Sequence, residues 1–331
     1  MTRAALILLC ACFAGCASED PFRPAHEPAD VAPSVRTPAY NPVLSVEPWK
    51  FGETNGSIVR TQHYRVFTTS DRPIIRQVLP GFLEASLVQY RSALGDLPPP
   101  PVKLDTYLMH TRPEWAALTR ALMQDRADIY LRIERGGFAA QGRGVYRDLG
   151  PLTDTLNLAA HEGWHQYTQL TFKARLPVYL EEGIATYMEG FRFDPSRPDL
   201  PIFMPWANTE RYDQLRRAVS TGRVLSLDTI MTTPPQDLIA TDQELALTWY
   251  AQVWALVHFL HEGESGLYTN ALHAILADAA TGSGRGVTRL PLGNYISTPA
   301  SELNEQYQAF IRQITASGAR NRIVEGRSPL R

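Results

Sequence analysis

The stretch AAHEGWHQYTQL, residues 159–170, restricts this chain more than any other. In an α-helix, residues four apart differ by about 40° in direction and ~6 Å in height, so His161 and His165 project from one face. Two imidazoles so placed can both reach one Zn²⁺ at about 2.0–2.1 Å. Glu162 is rotated by about 100° from His161. It leans over such an ion without ligating it, where a carboxylate can take a proton from water. Histidine is rare here, with 8 in 331 residues, so a chance match is uncommon. A helix with two partly exposed histidines satisfies the same pattern, and a third donor has to decide between the two readings.

Downstream lies LPVYLEEGIATYMEG, where Leu176 and Pro177 mark a break and a second helix carries Glu181 and Glu182 in its first turns. A third histidine six residues after His165 is excluded, because Thr171 stands there. The segment YLEEGIATY (179–187) matches a W/Y-L-x-E-G-x-A-x-Y pattern and resembles the gluzincin metallopeptidases, the superfamily of thermolysin and the zinc aminopeptidases, including bacterial peptidase-like lipoproteins. Sixteen residues separate His165 from Glu182, a short but workable return. The resemblance implies one Zn²⁺ held by His161, His165 and Glu182, with Glu181 as the second choice of ligand. It also implies Glu162 as general base in hydrolysis of a peptide bond of a peptide or protein substrate. It spans about residues 141 to 262 and is densest at 161–187.

Three further expectations follow from that resemblance. TWYAQVWALVHFL (248–260) looks like a buried helix of these proteins, so Tyr250 is the candidate for bonding the developing oxyanion, against a simply packed tyrosine. QGRGVYRD (141–148) stands where the superfamily has an edge strand. There Gly142, Gly144, Val145 and Tyr146 would bind a peptide backbone by strand addition; a plain hairpin is the alternative. Asp154, Glu181 and Glu189 are the carboxylates that could orient the histidines, unranked. Trp164 points away from the histidines' face and belongs to the core. Gly163 costs about 1 kcal/mol relative to Ala in a helix and implies a close approach by the third-ligand helix or by substrate. HEGE (261–264) echoes HEGW, but without a second histidine it reads as a helix end capped by Gly263.

The rest of the chain sets the frame. HYRVFTTS (63–70) and VKLDTYLMHT (102–111) alternate as strands. A helix capped by Asp71, with Pro73 in its first turn, runs to about Leu94, and RPEWAALTRALMQD forms another. Residues 136–148 contain a turn signal and an extended segment. Beyond Leu152 helical spacing dominates, at 153–172, 177–191, 208–220, 243–262, 266–279 and 299–316. The expected fold is therefore α+β, a small mixed β-sheet with helices (49–152) followed by a mainly α-helical part (153–331). The resemblance makes it zincin-like, with the site between the two parts.

The N-terminus concerns location. Arg3 followed by a short apolar run to Phe13 is too short to span a membrane and reads as an export signal over residues 1–15. FAGC resembles the lipobox of bacterial lipoproteins, which implies lipidation at Cys16 and a body anchored in the bacterial cell envelope, facing the periplasm from the outer membrane. A plain secretory signal cut elsewhere is the alternative. All three cysteines lie at or before Cys16, so the body must hold together without disulfides. Residues 16–48, with seven prolines from Pro21 to Pro48, read as an extended tether. The charge balance of 32 basic to 34 acidic residues gives no nucleic-acid footprint.

Overall fold

The computed structural model describes residues 42–133, 136–194, 197–283 and 292–330. The expected export signal, Cys16 and most of the tether lie outside the described residues. The body is mixed α+β. A six-stranded sheet has the order β1-β2-β3-β4-β6-β5, built from β1 (Ser45–Phe51), β2 (Thr54–Arg60), β3 (Tyr64–Thr68), β4 (Leu104–Met109), β5 (Gly137–Ala140) and β6 (Arg143–Arg147). The β3–β4 and β4–β6 pairs are parallel and the others antiparallel. Helix α1 (Pro73–Ser92) joins β3 to β4; α2 (Arg112–Met123) and α3 (Ala127–Leu131) join β4 to β5.

The two faces of the sheet follow from strand alternation. Tyr64, Val66, Leu104, Leu108 and Tyr146 turn towards α1 and α4 (Leu152–Thr171). Phe67, Tyr107, Met109 and Val145 turn towards Trp115 of α2 and Tyr130 of α3. Central strands covered on both faces need apolar residues at nearly every position, and all five residues of β3 are buried.

Two sequence expectations change here. Order begins earlier than Trp49: β1 starts at Ser45, inside the expected tether, and pairs Val46 with Val59 and Pro48 with Ser57. Proline is tolerated because β1 is an edge, where a missing N–H breaks no ladder. Residues 141–148 are not an edge strand. The chain turns at Gln141 and Gly142, both at positive φ, as a two-residue hairpin loop requires. That turn leaves β5 outermost and β6 enclosed between β4 and β5. Val145 and Tyr146 are each 1% exposed, so strand addition along β6 is closed to a peptide.

The second part holds α5 (Val178–Met188), a hairpin of β7 (Phe191–Asp194) and β8 (Arg197–Phe203), α6 (Thr209–Ser220), α7 (Leu227–Thr232) and α8 (Pro235–Thr241). Then come α9 (Gln243–Glu262), α10 (Thr269–Thr281), α11 (Ala300–Ile314) and α12 (Ala319–Val324). The sequence signals miss β1–β2, α3, β7–β8, α7, α8 and α12. Helix α9 is buried continuously from Ala246 to Leu260, as its all-round apolar sequence requires. Helix α5 lies between α4 and α9. Gly183 allows this: a Cβ there would stand 2.7 Å from the Val253 carbonyl oxygen of α9. One hydrophobic core runs from Val59 through α4, α5 and α9 to Ile323, so the change of character at residue 152 separates secondary structures and not two cores.

Candidate metal centre

Helix α4 is fixed to the sheet immediately beside the histidines. Gln166 Nε2 donates to the carbonyls of Asp105 (2.7 Å) and Gly142 (3.1 Å), and Gln166 Oε1 accepts from Thr106 Oγ1 at 3.0 Å. One turn on, Gln169 bridges Ala139 O and Gly142 N across the β5–β6 turn. Gly144 leaves the space for Gln166, whose Oε1 lies 3.0 Å from where a Cβ would be. Thus Gly142 and Gly144 serve the seating of α4. On the opposite side, Tyr90 of α1 donates to Ala160 O at 2.7 Å. A Cβ at Gly163 would lie 2.5 Å from the Tyr90 hydroxyl, so the close approach that favours glycine comes from α1 and not from the third-ligand helix. Trp164 is fully buried against Tyr90, Tyr167 and Phe172, as expected.

His161, His165 and Glu182 come together. The two imidazole centroids are 4.9 Å apart, and Glu182 Oε2 lies 3.4 Å from His161 Nε2 and 3.7 Å from His165 Nε2. All three donor atoms are buried and none has a hydrogen-bond partner among the described residues. Orphaned polar atoms are costly to bury. Here the spacing accounts for them: donors about 2.0–2.2 Å from one tetrahedral ion sit roughly 3.3–3.6 Å apart. The group fits a metal ion, and it is the one such cluster among the described residues.

The other ring nitrogens are occupied. Glu189 Oε1 lies 2.8 Å from His161 Nδ1, and Glu181 Oε1 lies 2.9 Å from His165 Nδ1. A carboxylate on Nδ1 makes that nitrogen the donor and leaves the Nε2 lone pair for a metal. Adjacent residues on α5 point about 100° apart, which is how Glu181 faces His165 from outside while Glu182 faces both rings from within. Thr168 Oγ1 also donates to Glu181 Oε1, at 2.7 Å. Glu189 accepts from Asn208 Nδ2 (2.7 Å) and Arg211 Nη2 (3.2 Å). Of the three carboxylates named from sequence, Glu181 and Glu189 orient histidines, whereas Asp154 sits partly exposed in the first turn of α4, two turns from His161. Asn208 and Arg211 carry no motif, and the only sequence signal at this place is the helix start they belong to.

The electrostatics follow from this packing. Burial pushes Glu162 up to about 7, with Glu182 and Glu189 adding to it against the pull of both histidines. Both Glu162 oxygens are buried and have no hydrogen-bond partner among the described residues. Burial alone would also raise Glu182, but the charge of His165 and the contacts with both rings hold it at about 2. Burial disfavours charge on the histidines, yet Glu182 and Glu189 raise His161, and Glu182 and Glu181 raise His165 further. Negative charge thus outweighs desolvation at both rings, which suits a site that takes a cation.

Tyr250 is buried on α9 with the Arg211 guanidinium 5.4 Å from its ring centroid. Arg211 in turn donates to Glu189, which holds His161 Nδ1. His258 and Gln252, the other polar residues of α9, are also accounted for. Gln252 pairs with both backbone groups of Leu225, and His258 stacks on Trp206 and meets Glu262. Comparison with protein-family models, with curated proteins and with solved structures returns no match.

Proposed function

We propose that this chain is a zinc-dependent metallopeptidase of gluzincin type with a zincin-like fold, carried on a lipid-anchored envelope protein. One observation carries the reading: the donor atoms of His161, His165 and Glu182 stand at metal spacing beside the Glu162 carboxylate, and none of these atoms has a hydrogen-bond partner among the described residues. Zn²⁺ in this donor set would supply Lewis acidity towards a scissile carbonyl and acidify a water molecule. Glu162 would serve as general base towards a water at this site and would return the proton to the leaving amine. Neither of its oxygens has a hydrogen-bond partner among the described residues, which leaves the carboxylate open to accept and return a proton. Glu181 and Glu189 hold the two rings with Nε2 inward. Tyr250 is the proposed donor to the oxyanion, and its phenylalanine variant tests that assignment.

The complete burial of His161 and Glu162 favours a second reading, a metal-holding lipoprotein of the same fold that binds a partner without turnover. Turnover of a broad peptide library by wild type and by Glu162→Gln separates the two. The peptidase reading expects cleavage by wild type and a loss of about 10²–10⁴-fold in the variant, with zinc retained in both. Equal inertness of two zinc-loaded proteins would leave the binding reading in its place.

A further inference from the structure

The support behind the two histidines is unequal. Glu181 is held by His165 and by one hydroxyl, that of Thr168. Glu189, 7% exposed, is held by His161 Nδ1, Arg211 Nη2 and Asn208 Nδ2 together. Arg211 is 1% exposed, and its buried Nε has no partner among the described residues. Burying a guanidinium is expensive, and an ion pair in the interior often gains nothing over apolar packing, so fold stability is a poor account of its presence. Asn208 is placed to act twice. It is the N-cap of α6, accepting from Arg211 N at 3.2 Å, while its Nδ2 donates to Glu189 and to the Thr186 carbonyl in the last turn of α5.

We propose that Asn208 and Arg211 are positioning residues of the metal centre, acting through Glu189 to lock the His161 ring with Nε2 aimed at the ion. The proposal rests on the metal-binding reading above. The N-terminus of α6 then clamps one ligand from outside: Asn208 fixes one carboxylate oxygen of Glu189 and Arg211 the other, so the carboxylate cannot rotate away from Nδ1. Without the clamp, Nδ1 loses a fixed partner and the ring gains freedom to turn its lone pair off the ion. Among the described residues His165 lacks such a clamp and is held through Glu181 and Thr168.

The test compares the full chain with Asn208→Ser, Arg211→Met and Arg211→Lys, reading Zn²⁺ affinity by chelator competition and the visible absorption of the Co²⁺-loaded protein. Serine caps a helix about as well as asparagine but is too short to reach Glu189, so Asn208→Ser keeps the start of α6. The expected result is a 10–100-fold loss of Zn²⁺ affinity in Asn208→Ser and Arg211→Met, a changed Co²⁺ spectrum, and partial recovery in Arg211→Lys. A merely structural role would lower the melting temperature of the metal-free protein and leave affinity and spectrum of the folded protein unchanged; that result overturns the proposal. If Arg211→Met does not fold, Asn208→Ser decides alone. A wild type that binds no zinc would overturn the metal reading and this proposal together, whereas zinc bound equally by wild type and variants overturns only the proposal.

Discussion

His-Glu-Gly occurs twice in this chain, at 161–163 in α4 and at 261–263 at the end of α9, and the surroundings of the two copies differ in every respect that matters to a metal. Neither carboxylate oxygen of Glu162 has a hydrogen-bond partner among the described residues. Glu262 has its oxygens engaged: Oε1 accepts from Trp206 Nε1 at 2.6 Å and meets His258 Nδ1 at 3.2 Å, and Oε2 accepts from Ser328 Oγ at 2.8 Å. Four residues after His161 the helix continues and presents His165. After His261, Gly263 caps α9, and Glu264 and Ser265 take left-handed backbone angles. The lesson is that the histidine spacing needs an uninterrupted helix to become a chelating face; a three-residue echo at a helix end becomes a packing contact.

The largest effect is expected for His161→Ala, which removes one of three protein donors and should lower zinc affinity on the order of a thousandfold, measured by chelator competition. His261→Ala should leave that affinity unchanged, and equal losses in both variants would erase the distinction. At the second copy, His258→Ala removes a ring stacked 3.6 Å from Trp206 and leaves Glu262 without one partner. A loss of about 3 kcal/mol in denaturant unfolding is expected, with zinc binding intact.

Acid should drive the two copies in opposite directions. Burial lowers His258, outweighing Glu262. A histidine with a lowered folded value stabilises fully above about pH 6.5 and loses that contribution as pH falls through the folded value. In the metal-free protein His161 and His165 are raised, so their contribution is complete below about pH 6.5 and is lost as pH rises through the raised values. Because both rings must shed protons to bind a metal, zinc affinity should fall as pH is lowered, with protons released on binding. Titration calorimetry in buffers of different ionisation enthalpy reads this directly, and proton-neutral binding would contradict it. The smallest effect is Ser328→Ala, about 1 kcal/mol of stability and no change in metal.

Much of the candidate centre was legible because the residues that could hold a metal follow local periodicities. His161 and His165 are one turn apart, and Glu182 sits in the second turn after the break at Pro177. Glu181 and Glu189 could be named but not ranked, since which ring each meets depends on how α5 crosses α4. Asn208 and Arg211 were not legible at all: their contact with Glu189 spans two elements and roughly 20 residues of chain and is written in tertiary packing. In the fold, β3 and β4 announce themselves by alternation with β-branched and aromatic residues. The hairpin β1–β2 is hidden by Pro48 and Gly56, although a Cβ at Gly56 would stand 2.4 Å from the Thr68 carbonyl oxygen and glycine is what the sheet admits there. For β5 and β6 the turn was readable, but its direction was not, and that direction decides which strand is the edge.

The central claim, that His161, His165 and Glu182 form a single metal centre, is tested most directly by metal analysis of the purified wild type beside Glu182→Gln, with circular dichroism to establish that both are folded. One zinc per chain is expected in wild type and little or none in the variant. Zinc absent from folded wild type, or equally present in both proteins, would contradict it.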